Sequence, residues 1–403
     1  MRILVITTKS PYPLYEGRAL RTFNLLKQVA RKHEIFLLSF VQTPEELEGI
    51  EHLRPFCSHV EAVPLHLGYA RWHIAMDVLR EVFGVAPLHA VKYRSRAMRK
   101  KLRALLATGT IDVVHLDMLH LGEYLKLCTG MPVVLIEHNV ESVLLRRRMD
   151  NASSPLAKLY FYYQYLKLRA YEARLCRLAE QVVAVSELDA RALEELAGIT
   201  GVTPISNGVD THYFRALEAP TRANSLVFVG GLTWFPNHDA IRYFCAEVLP
   251  RVAAEIPDVS LTVVGKSPQE SSIREIAENP RVRLTGLVDD VRPLISEAAV
   301  YVVPLRIGGG TRLKILDALA MGKPLISTSV GCEGLAVVSG EHLLIADSSD
   351  AFAREIVRLL RDPALGRRLA AAGRQLVERK YEWSVIAQEL DRVYERCVRA
   401  TDN

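Results

Sequence analysis

VYVVPLRIGGGTRLKILDALA, residues 300–320, carries three structural signals in succession. Its first four residues, Val300–Val303, are apolar and mostly β-branched, which is typical of a strand buried on both faces. Three glycines, 308–310, follow after four intervening residues, and Thr311 is a favourable N-cap for a helix with apolar residues at helical spacing. A buried strand, a glycine turn and a helix in this order predict one unit of a parallel α/β sheet.

The same alternation of short apolar runs and helical patterns extends along the chain in two sets. The first set of predicted strands is Ile3–Thr7, Ile35–Phe40, Val60–Val63, Val113–His115, Val133–Ile136 and Gln181–Ser186. The second set is Leu226–Val229, Leu261–Val264, Val282–Thr285, Val300–Val303, Pro324–Thr328 and Leu343–Ala346. Two separate sets of about six strands predict two doubly wound α/β domains rather than one large sheet.

The boundary between these domains lies in a polar stretch without periodicity. The turn dipeptide Asn207-Gly208 opens this stretch, which is typical of a connection between domains. The predicted division is an N-terminal domain (1–206), a linker (207–224), a second domain (225–383) and a last helix (384–403). We expect the last helix to pack back on the N-terminal domain.

Composition places the chain among ordinary globular proteins. Of its 403 residues 49% are hydrophobic and 24% are charged, which excludes a disordered or collagen-like chain. Residues 1–205 carry 27 Lys and Arg against 21 Asp and Glu (+6), whereas residues 206–403 carry 24 against 25 (−1). A basic front half favours an anionic substrate or an anionic surface as partner.

The sequence shows neither a targeting signal nor a metal-binding motif, so we expect a cytoplasmic protein without a resident metal. The first apolar run, Ile3–Thr7, is too short for a signal peptide, and no run reaches the 18 apolar residues of a membrane span. A peripheral position on the inner face of the cytoplasmic membrane stays open. The six cysteines are scattered without a C-x-x-C pair, which predicts reduced thiols and no zinc site.

Glycines and cations at the start of the quoted helix favour an anion site. Arg312 and Lys314 lie in the first turn, where acidic residues are normally favoured, so their placement there suggests that they meet a phosphate. Gly309 and Gly310 let the backbone approach a ligand closely, and the helix amides that follow Thr311 attract anions. A glycine loop with solvated charges is the alternative interpretation.

Other candidate residues follow predicted strands, at the edge where α/β folds place their ligand contacts. His138 follows the fifth strand, although a structural histidine is the alternative, and Gly230 with Gly231 follows the seventh. Gly17 precedes the first predicted helix, Arg18–Arg31, and Arg21 lies in its first turn; both could face a diphosphate across a cleft between the domains, and a plain turn is equally compatible. The chain lacks G-x-G-x-x-G, which disfavours a dinucleotide-binding dehydrogenase.

Residues 180–335 resemble glycosyltransferase family 4, whose members are retaining, nucleotide-sugar-dependent enzymes of the GT-B fold. The matching pieces, in order, are Val185–Glu187, Asn207–Asp210, Val229–Leu232, Val263–Gly265, Thr285–Val288 and Leu316–Pro324. The stretch Pro11–Phe40 is similar to a bacterial branch of the family associated with exopolysaccharide synthesis. The resemblance implies two Rossmann-like domains that face each other across a cleft, with Gly286 in the nucleotide-sugar site.

The chain departs from the family pattern at its donor site. The family usually has two glutamates, separated by seven residues, that hold the donor sugar and the ribose. They map to Gly309 and Asp317, so the resemblance implies that Asp317 takes the ribose and that another group recognises the sugar. The family's phosphate-binding Arg and Lys map to Gly231 and Pro236, and we expect the two cations of the quoted helix to replace them.

The function implied by the resemblance is the retaining transfer of a sugar from a nucleotide-diphosphate donor to a glycan, lipid-linked or small-molecule acceptor. No metal cofactor is implied, because the donor diphosphate itself helps to deprotonate the acceptor, and His138 would lie against the donor sugar. Two alternatives stay open: a nucleotide-sugar 2-epimerase on the same fold, and a non-catalytic nucleotide-sugar-binding protein.

A basic and aromatic region in the first half makes an anionic membrane surface a candidate partner. Lys92–Arg103 holds seven cations in 12 residues, and the domain also contains Arg146–Arg148 and the aromatic run Tyr160–Tyr165. Cationic helices with exposed aromatic side chains dock on anionic headgroups. A solvated helix face is equally compatible, and no nucleic-acid partner is expected, because no binding motif accompanies the charge.

Overall fold

A computed structural model of the chain describes residues 1–14, 17–65, 87–150, 154–218, 220–267, 270–307 and 313–401. Its contacts divide the chain into two units, Met1–Ser206 with Ile386–Asn403, and Asn207–Val385. The stretch predicted as a linker, 207–224, is grouped with the second unit, and most of the predicted last helix is grouped with the first.

The first unit is built on a parallel sheet. Its described strands are β1 Arg2–Thr7, β2 Glu34–Val41, β3 His59–Pro64, β4 Val113–Asp117, β5 Val133–Ile136, β6 Gln181–Ala184 and β7 Thr203–Pro204. They are ordered β3-β2-β1-β4-β5-β6-β7 across the sheet. The sequence predicted the first six but missed β7, because two residues that include a proline give no strand pattern.

Helices connect these strands. The described α-helices are α1 Gly17–Val29, α2 Pro44–Gly49, α3 Leu88–Val91, α4 Arg96–Leu106, α5 Glu141–Asp150, α6 Pro155–Leu178 and α7 Glu187–Ala197. Local capping explains where several of them begin. The Ser186 side chain, for example, accepts a hydrogen bond from the Asp189 amide, and a left-handed Gly198 ends the same helix.

The second unit repeats the design. Its described strands are β8 Ser225–Val229, β9 Ser260–Val264, β10 Val282–Leu284, β11 Val300–Val303, β12 Leu325–Ser327 and β13 Leu344–Ile345, ordered β10-β9-β8-β11-β12-β13. Numbered from the first strand of each unit, both sheets begin 3-2-1-4-5-6. The prediction of two doubly wound α/β domains is therefore confirmed, with topological switch points between β1 and β4 and between β8 and β11.

The helices of the second unit complete the described chain. They are α8 Phe235–Tyr243, α9 Leu249–Glu255, α10 Glu270–Ala277, α11 Arg292–Glu297, α12 Leu313–Ala320, α13 Ser349–Arg361 and α14 Pro363–Lys380, and α15 Trp383–Thr401 follows. Among all helices that the structure describes, none combines the length and the apolar character needed to cross a membrane.

Burial on both faces of the second sheet explains its continuous apolar strands. In β8, Leu226 and Phe228 belong to one hydrophobic cluster, whereas Val227, which points the other way, belongs to another. In β11, Val302 and Tyr301 are divided between the same two clusters. We therefore look for polar, ligand-binding groups among the residues that follow each strand.

Candidate active site

Three neighbouring strands of the second unit are followed by glycines that lie close together. The Gly230 amide donates to the Val264 carbonyl at 2.8 Å, and the Gly265 amide donates to the Gly286 carbonyl at 3.0 Å. A Cβ at Gly265, where φ is +143°, would lie 2.7 Å from the carbonyl carbon of Gly230 and from the Gly231 nitrogen. Backbone rather than side chains therefore forms this part of the edge, so a ligand can approach the main chain closely.

Lys314 brings a positive charge to this glycine edge. It lies in the first described turn of α12, and its Nζ donates to Asn237 Oδ1 at 2.8 Å. The same nitrogen lies 4.2 Å from the centroid of the Phe228 ring and would be 2.6 Å from a Cβ at Gly230. The structure therefore brings together Gly230, Gly231 and Lys314, three of the residues predicted to bind the donor, beside the switch point between β8 and β11.

Asn237 is a site residue to which sequence reasoning gave no role. It is buried in α8, and its Nδ2 donates to the Gly231 carbonyl at 2.9 Å while its Oδ1 accepts from Lys314. One side chain thus ties the glycine turn to the lysine. Trp234 and Phe235, which precede it, are 51% and 63% exposed, so neither is a core residue.

Asp317 lies one helical turn after Lys314 and is half-buried. Burial raises the pKa of its carboxyl group to about 8, although the neighbouring Lys314 charge lowers that pKa in part. The fully buried Tyr301 lies close enough for the charge of Asp317 to add to the effect of burial in raising the pKa of the Tyr301 hydroxyl. A carboxyl group that titrates near neutral pH can change its proton when a ligand binds.

Four residues of the predicted anion site lie outside the described residues: Gly309, Gly310, Thr311 and Arg312. The described part of α12 begins with the next residue, Leu313.

In the first unit, His138 lies at the carboxyl edge of the sheet in a buried hydrogen-bonded network. His138 Nε2 lies 2.8 Å from Asp117 Oδ1, and Thr22 Oγ1 donates to Asp117 Oδ2 at 2.9 Å. Asp117 ends β4 beside the switch point, where it pairs with Thr7 of β1. Sequence reasoning missed Asp117 because it ended this strand at His115, yet a carboxylate after a buried strand is the signal that would have found it.

Opposing effects set the charges of this pair. Burial alone would raise the pKa of Asp117, but the nearby His138 and His115 outweigh it and hold that pKa well below its ordinary value. Burial lowers the pKa of His138, the Asp117 carboxylate raises it in part, and the charges of Arg21 and Arg18 lower it further. The result is an ionised carboxylate beside a histidine that is neutral near pH 7.

The network extends to α15 through His115, whose Nδ1 lies 2.6 Å from the Tyr394 hydroxyl oxygen. Arg21 lies nearby and is 1% exposed; its guanidinium donates to the carbonyl oxygens of Ile205 and Ser206, each at 2.7 Å. These contacts hold Arg21 against the end of the first unit. Gly17 is the exposed first residue of α1.

Glu137, directly before His138, is a second buried carboxyl group at this edge. Neither of its oxygens has a hydrogen-bond partner among the described residues. Burial raises its pKa well above the ordinary value, and Glu172 and Glu141 add to the effect. Glu172 accepts hydrogen bonds from the amides of Glu141 and Ser142, where α5 begins. Within the described part of the chain, no three His, Cys, Asp or Glu side chains form a group that could hold a metal ion.

Comparison with known proteins agrees with this architecture. A family model described as Glycosyltransferase Family 4 matches residues 16–213, and one described as Glycosyl transferases group 1 matches residues 223–362. Sucrose-phosphate synthase from Thermosynechococcus elongatus superposes with a TM-score of 0.74 at 20% identity, covering 99% of this chain and 100% of that one. At this identity the superposition shows the fold, which is GT-B.

Two curated relatives match most of the chain. A phosphatidyl-myo-inositol mannosyltransferase of Mycobacterium leprae is 31% identical over 75% of this chain and 78% of its own length. An uncharacterised protein in the cps region of Klebsiella pneumoniae is 22% identical over 94% of this chain and 96% of its own length. The chain therefore belongs to glycosyltransferase family 4 and is a nucleotide-sugar-dependent glycosyltransferase of the GT-B fold.

Proposed function

We propose that this enzyme transfers a sugar from a nucleotide-diphosphate donor with retention of anomeric configuration, and that it does so in the assembly of a polysaccharide. The observation that carries the proposal is the position of Lys314 Nζ at the glycine edge, one turn before Asp317. A cation and a carboxyl group, next to backbone that ligands can approach, match the phosphates and the ribose of such a donor. The Klebsiella pneumoniae relative, encoded in a cps region, supports the polysaccharide setting.

Donor binding is assigned to the second unit. Lys314 would neutralise the diphosphate and Asp317 would accept hydrogen bonds from the ribose hydroxyls. The adjoining residues Arg312, Thr311, Gly310 and Gly309 are proposed to contribute a further cation and backbone amides, and Gly230, Gly231 and Gly286 to leave room for the nucleotide. Gly17 and Arg21 stay predictions for the diphosphate.

Bond exchange at the anomeric carbon needs charge stabilisation more than a protein nucleophile. The bond from this carbon to the donor phosphate breaks and the bond to the acceptor oxygen forms on the same face. The acceptor proton passes to the departing phosphate. Lys314 stabilises the negative charge that develops on that phosphate, so no metal is required in the proposal. His138 is proposed to contact the donor sugar.

A donor screen tests the proposal directly. We expect one of the UDP-, GDP-, ADP- or TDP-sugars to be hydrolysed slowly without acceptor and transferred with acceptor, with activity surviving EDTA. NMR of the first-formed product should show the donor's anomeric configuration. An inverted product would contradict retention, and a loss of activity restored by Mg²⁺ would contradict metal independence. Absence of both donor binding and turnover would contradict the assignment of the site.

The same screen separates the two alternatives, which the comparisons do not favour. A 2-epimerase would return an isomerised sugar without an acceptor, and a non-catalytic binder would show donor affinity without turnover. Both outcomes are distinguishable in one NMR time course of donor, with and without acceptor.

A lipid-linked acceptor on an anionic membrane is the acceptor class that we favour. The Mycobacterium leprae relative is by its name a transferase for a phosphatidyl-inositol lipid. In this chain, the first half of α6 exposes large apolar side chains: Leu156 (79%), Leu159 (66%), Tyr160 (45%), Tyr162 (48%) and Leu166 (45%). Residues 151–171 contain no acidic residue, and Arg146–Arg148 lie in α5 just before them. An apolar, acid-free first half of a helix, beside cations, suits anionic headgroups.

The other basic segment is a weaker candidate for this surface. In and beside α4, both Arg94 and Arg99 bind Glu123, at 2.9 and 2.8 Å, and Lys101 binds Glu61. These acids offset part of the positive charge that the sequence of Lys92–Arg103 suggested. The exposed first half of α6 is therefore the stronger candidate for membrane binding.

Flotation with vesicles tests this acceptor class. We expect binding to phosphatidylglycerol-containing vesicles at low salt, and less binding at high salt, where charge attraction is screened. Leu156→Ser with Leu159→Ser should abolish it, whereas Leu47→Ser, at another exposed leucine, should not. Equal binding to neutral phosphatidylcholine vesicles would contradict the role of charge attraction. Absence of binding at low salt would contradict the proposed membrane partner.

A further inference from the structure

Asp117 engages its partners with both carboxylate oxygens. Oδ1 lies 2.8 Å from His138 Nε2, and Oδ2 accepts from Thr22 at 2.9 Å. Asp117 and His138 are 4% and 8% exposed, and Thr22 is equally buried. Because Asp117 ends β4 and His138 is the second residue after β5, two adjacent strands of the sheet fix the distance between them.

The proton on the histidine follows from this geometry. An ionised carboxylate can only accept hydrogen bonds, so the neutral imidazole of His138 must carry its proton on Nε2. Nδ1 is then an acceptor, and it has no hydrogen-bond partner among the residues that the structure describes. An imidazole with one nitrogen pinned by a carboxylate and the other available to a substrate is the arrangement that orients histidines in several enzyme classes.

We propose that Asp117 is a positioning residue: it fixes the tautomer and the ring orientation of His138, so that Nδ1 accepts a hydrogen bond from a hydroxyl group of the substrate. The inference rests on the proposed role of His138 at the donor sugar. Asp117 itself does not contact the substrate. Its effect on the reaction passes entirely through His138.

Several charged groups surround the pair and set the direction of its pH dependence. Arg18 and Arg21 of α1 oppose a proton on His138, while Asp117 favours one. His115 of the same strand lies 3.7 Å from Asp117, and the buried Glu137 and Tyr394 also face it. Acid should therefore protonate Nδ1 of His138 and remove the acceptor, so activity should fall as pH decreases through the pKa of His138.

The tautomer is tested on the unliganded protein, without reference to activity. With ¹⁵N-labelled histidine, the NMR spectrum at pH 7.5 should show a proton on Nε2 of His138 and a bare Nδ1. His138→Gln identifies the resonances. A proton on Nδ1, or an imidazolium at this pH, would overturn the inference even if the enzyme proves to be a glycosyltransferase. The expected spectrum combined with a failed donor screen would overturn the proposed function and leave the tautomer assignment standing.

Kinetics then test whether Asp117 acts through His138. Asp117→Asn should lower kcat by about tenfold or more, because an amide can donate to Nε2 and favour the wrong tautomer. It should also move the acid limb of the pH profile to lower pH, since the carboxylate that raises the pKa of His138 is gone. In a His138→Ala background the same substitution should have no further effect on kcat.

Controls separate positioning from folding. Asp391→Asn changes another buried aspartate of the same unit, which pairs with Lys32 at 2.8 Å, and it should leave kcat and the pH profile unchanged. A full Asp117→Asn effect in the His138→Ala background would overturn the inference. If Asp117→Asn fails to fold, Thr22→Val removes the contact to Oδ2 alone and should give a smaller loss of kcat with a weakened Nε2 proton signal; an unchanged kcat would count against the proposal.

Discussion

The two sheets share one strand order but differ in what their carboxyl edges present. In the first unit the edge holds buried ionisable side chains, among them Asp117, His138 and Glu137. In the second unit the glycines at 230, 265 and 286 form the edge, and Lys314 is a cation held beside them. A shared topology thus places ligand chemistry at the same edge twice, with side chains in one case and backbone in the other.

The two kinds of edge should be sensitive to different substitutions. A backbone edge depends on having no Cβ atoms, so it should tolerate side-chain changes around it better than changes at its glycines. A side-chain edge depends on a network in which each residue supplies a hydrogen-bond partner to another. The loss of unfolding free energy on substitution should therefore be spread over several residues. Substitutions at the two edges test this contrast.

Gly265→Ala should break the backbone edge. A Cβ at this position would lie 2.7 Å from the carbonyl carbon of Gly230, and the backbone has a φ of +143°. We expect the second unit to lose about 3 kcal/mol of unfolding free energy and the protein to lose nucleotide binding. Denaturant unfolding and calorimetry with nucleoside diphosphates measure the two effects. Gly340→Ala, with a φ of +82° and open space around it, is the matched control and should keep nucleotide affinity.

Lys314→Ala should weaken nucleotide binding with little change in fold stability. Loss of a charge-assisted contact to phosphate costs about 1.5–3 kcal/mol, or roughly 10- to 100-fold in Kd. Asn237→Ala should produce a smaller loss in the same direction, because it removes the side chain that holds the ammonium group. The exposed Lys380→Ala is the charge-matched control. Equal affinity of all three variants would show that phosphate binds elsewhere.

Asp317 gives the donor site a pH dependence. Its pKa is raised to about 8, and a ribose hydroxyl that donates to the carboxylate favours the ionised form, so binding should release a proton at pH 7. Nucleotide affinity should therefore rise by up to about tenfold between pH 7 and pH 9. Calorimetry in buffers of different ionisation enthalpy measures the proton. Asp317→Asn should flatten the profile, and an unchanged slope in that variant would assign the proton to another group.

Tyr394→Phe tests the side-chain edge at its periphery. It removes the hydroxyl that lies 2.6 Å from His115 Nδ1 and leaves a buried imidazole nitrogen without that partner. We expect a loss of about 1–2 kcal/mol in unfolding free energy. Tyr162→Phe, at an exposed tyrosine, should cost less than that. If the two substitutions cost the same, the network does not extend to α15.

Sequence patterns were sufficient to predict the two sheets, because a strand that is buried on both faces is apolar at nearly every position. Runs such as Val300–Val303 are apolar at every position, and the glycines that follow β8 and β9, Gly230 and Gly265, mark places where an added Cβ would not fit. Lys314 was also identifiable, since a cation in the first turn of a helix conflicts with the helix dipole.

The rest of the site depends on long-range contacts that no local pattern records. Asn237 meets Lys314 across 77 residues, and His115 meets Tyr394 across 279. The sequence suggests that Arg21 could face a diphosphate, but it does not show that Arg21 is 1% exposed and binds the carbonyls of Ile205 and Ser206, which lie about 185 residues away in the chain. Tertiary contacts of this kind decide whether a charge binds a ligand or the protein itself.

The C-terminal residues Ile386–Asn403 belong to the first unit although the whole second unit precedes them in the chain. Within this unit, Tyr394 contacts His115, Asp391 accepts a hydrogen bond from Lys32, and Arg396 donates one to Thr203. Exchange of domains between related enzymes by a single crossover near residue 206 would thus give each hybrid a first unit whose final helix comes from the other parent. Recombination that preserves function should instead need two crossovers, one near residue 206 and one near residue 386, so that the helix is inherited with the sheet it serves.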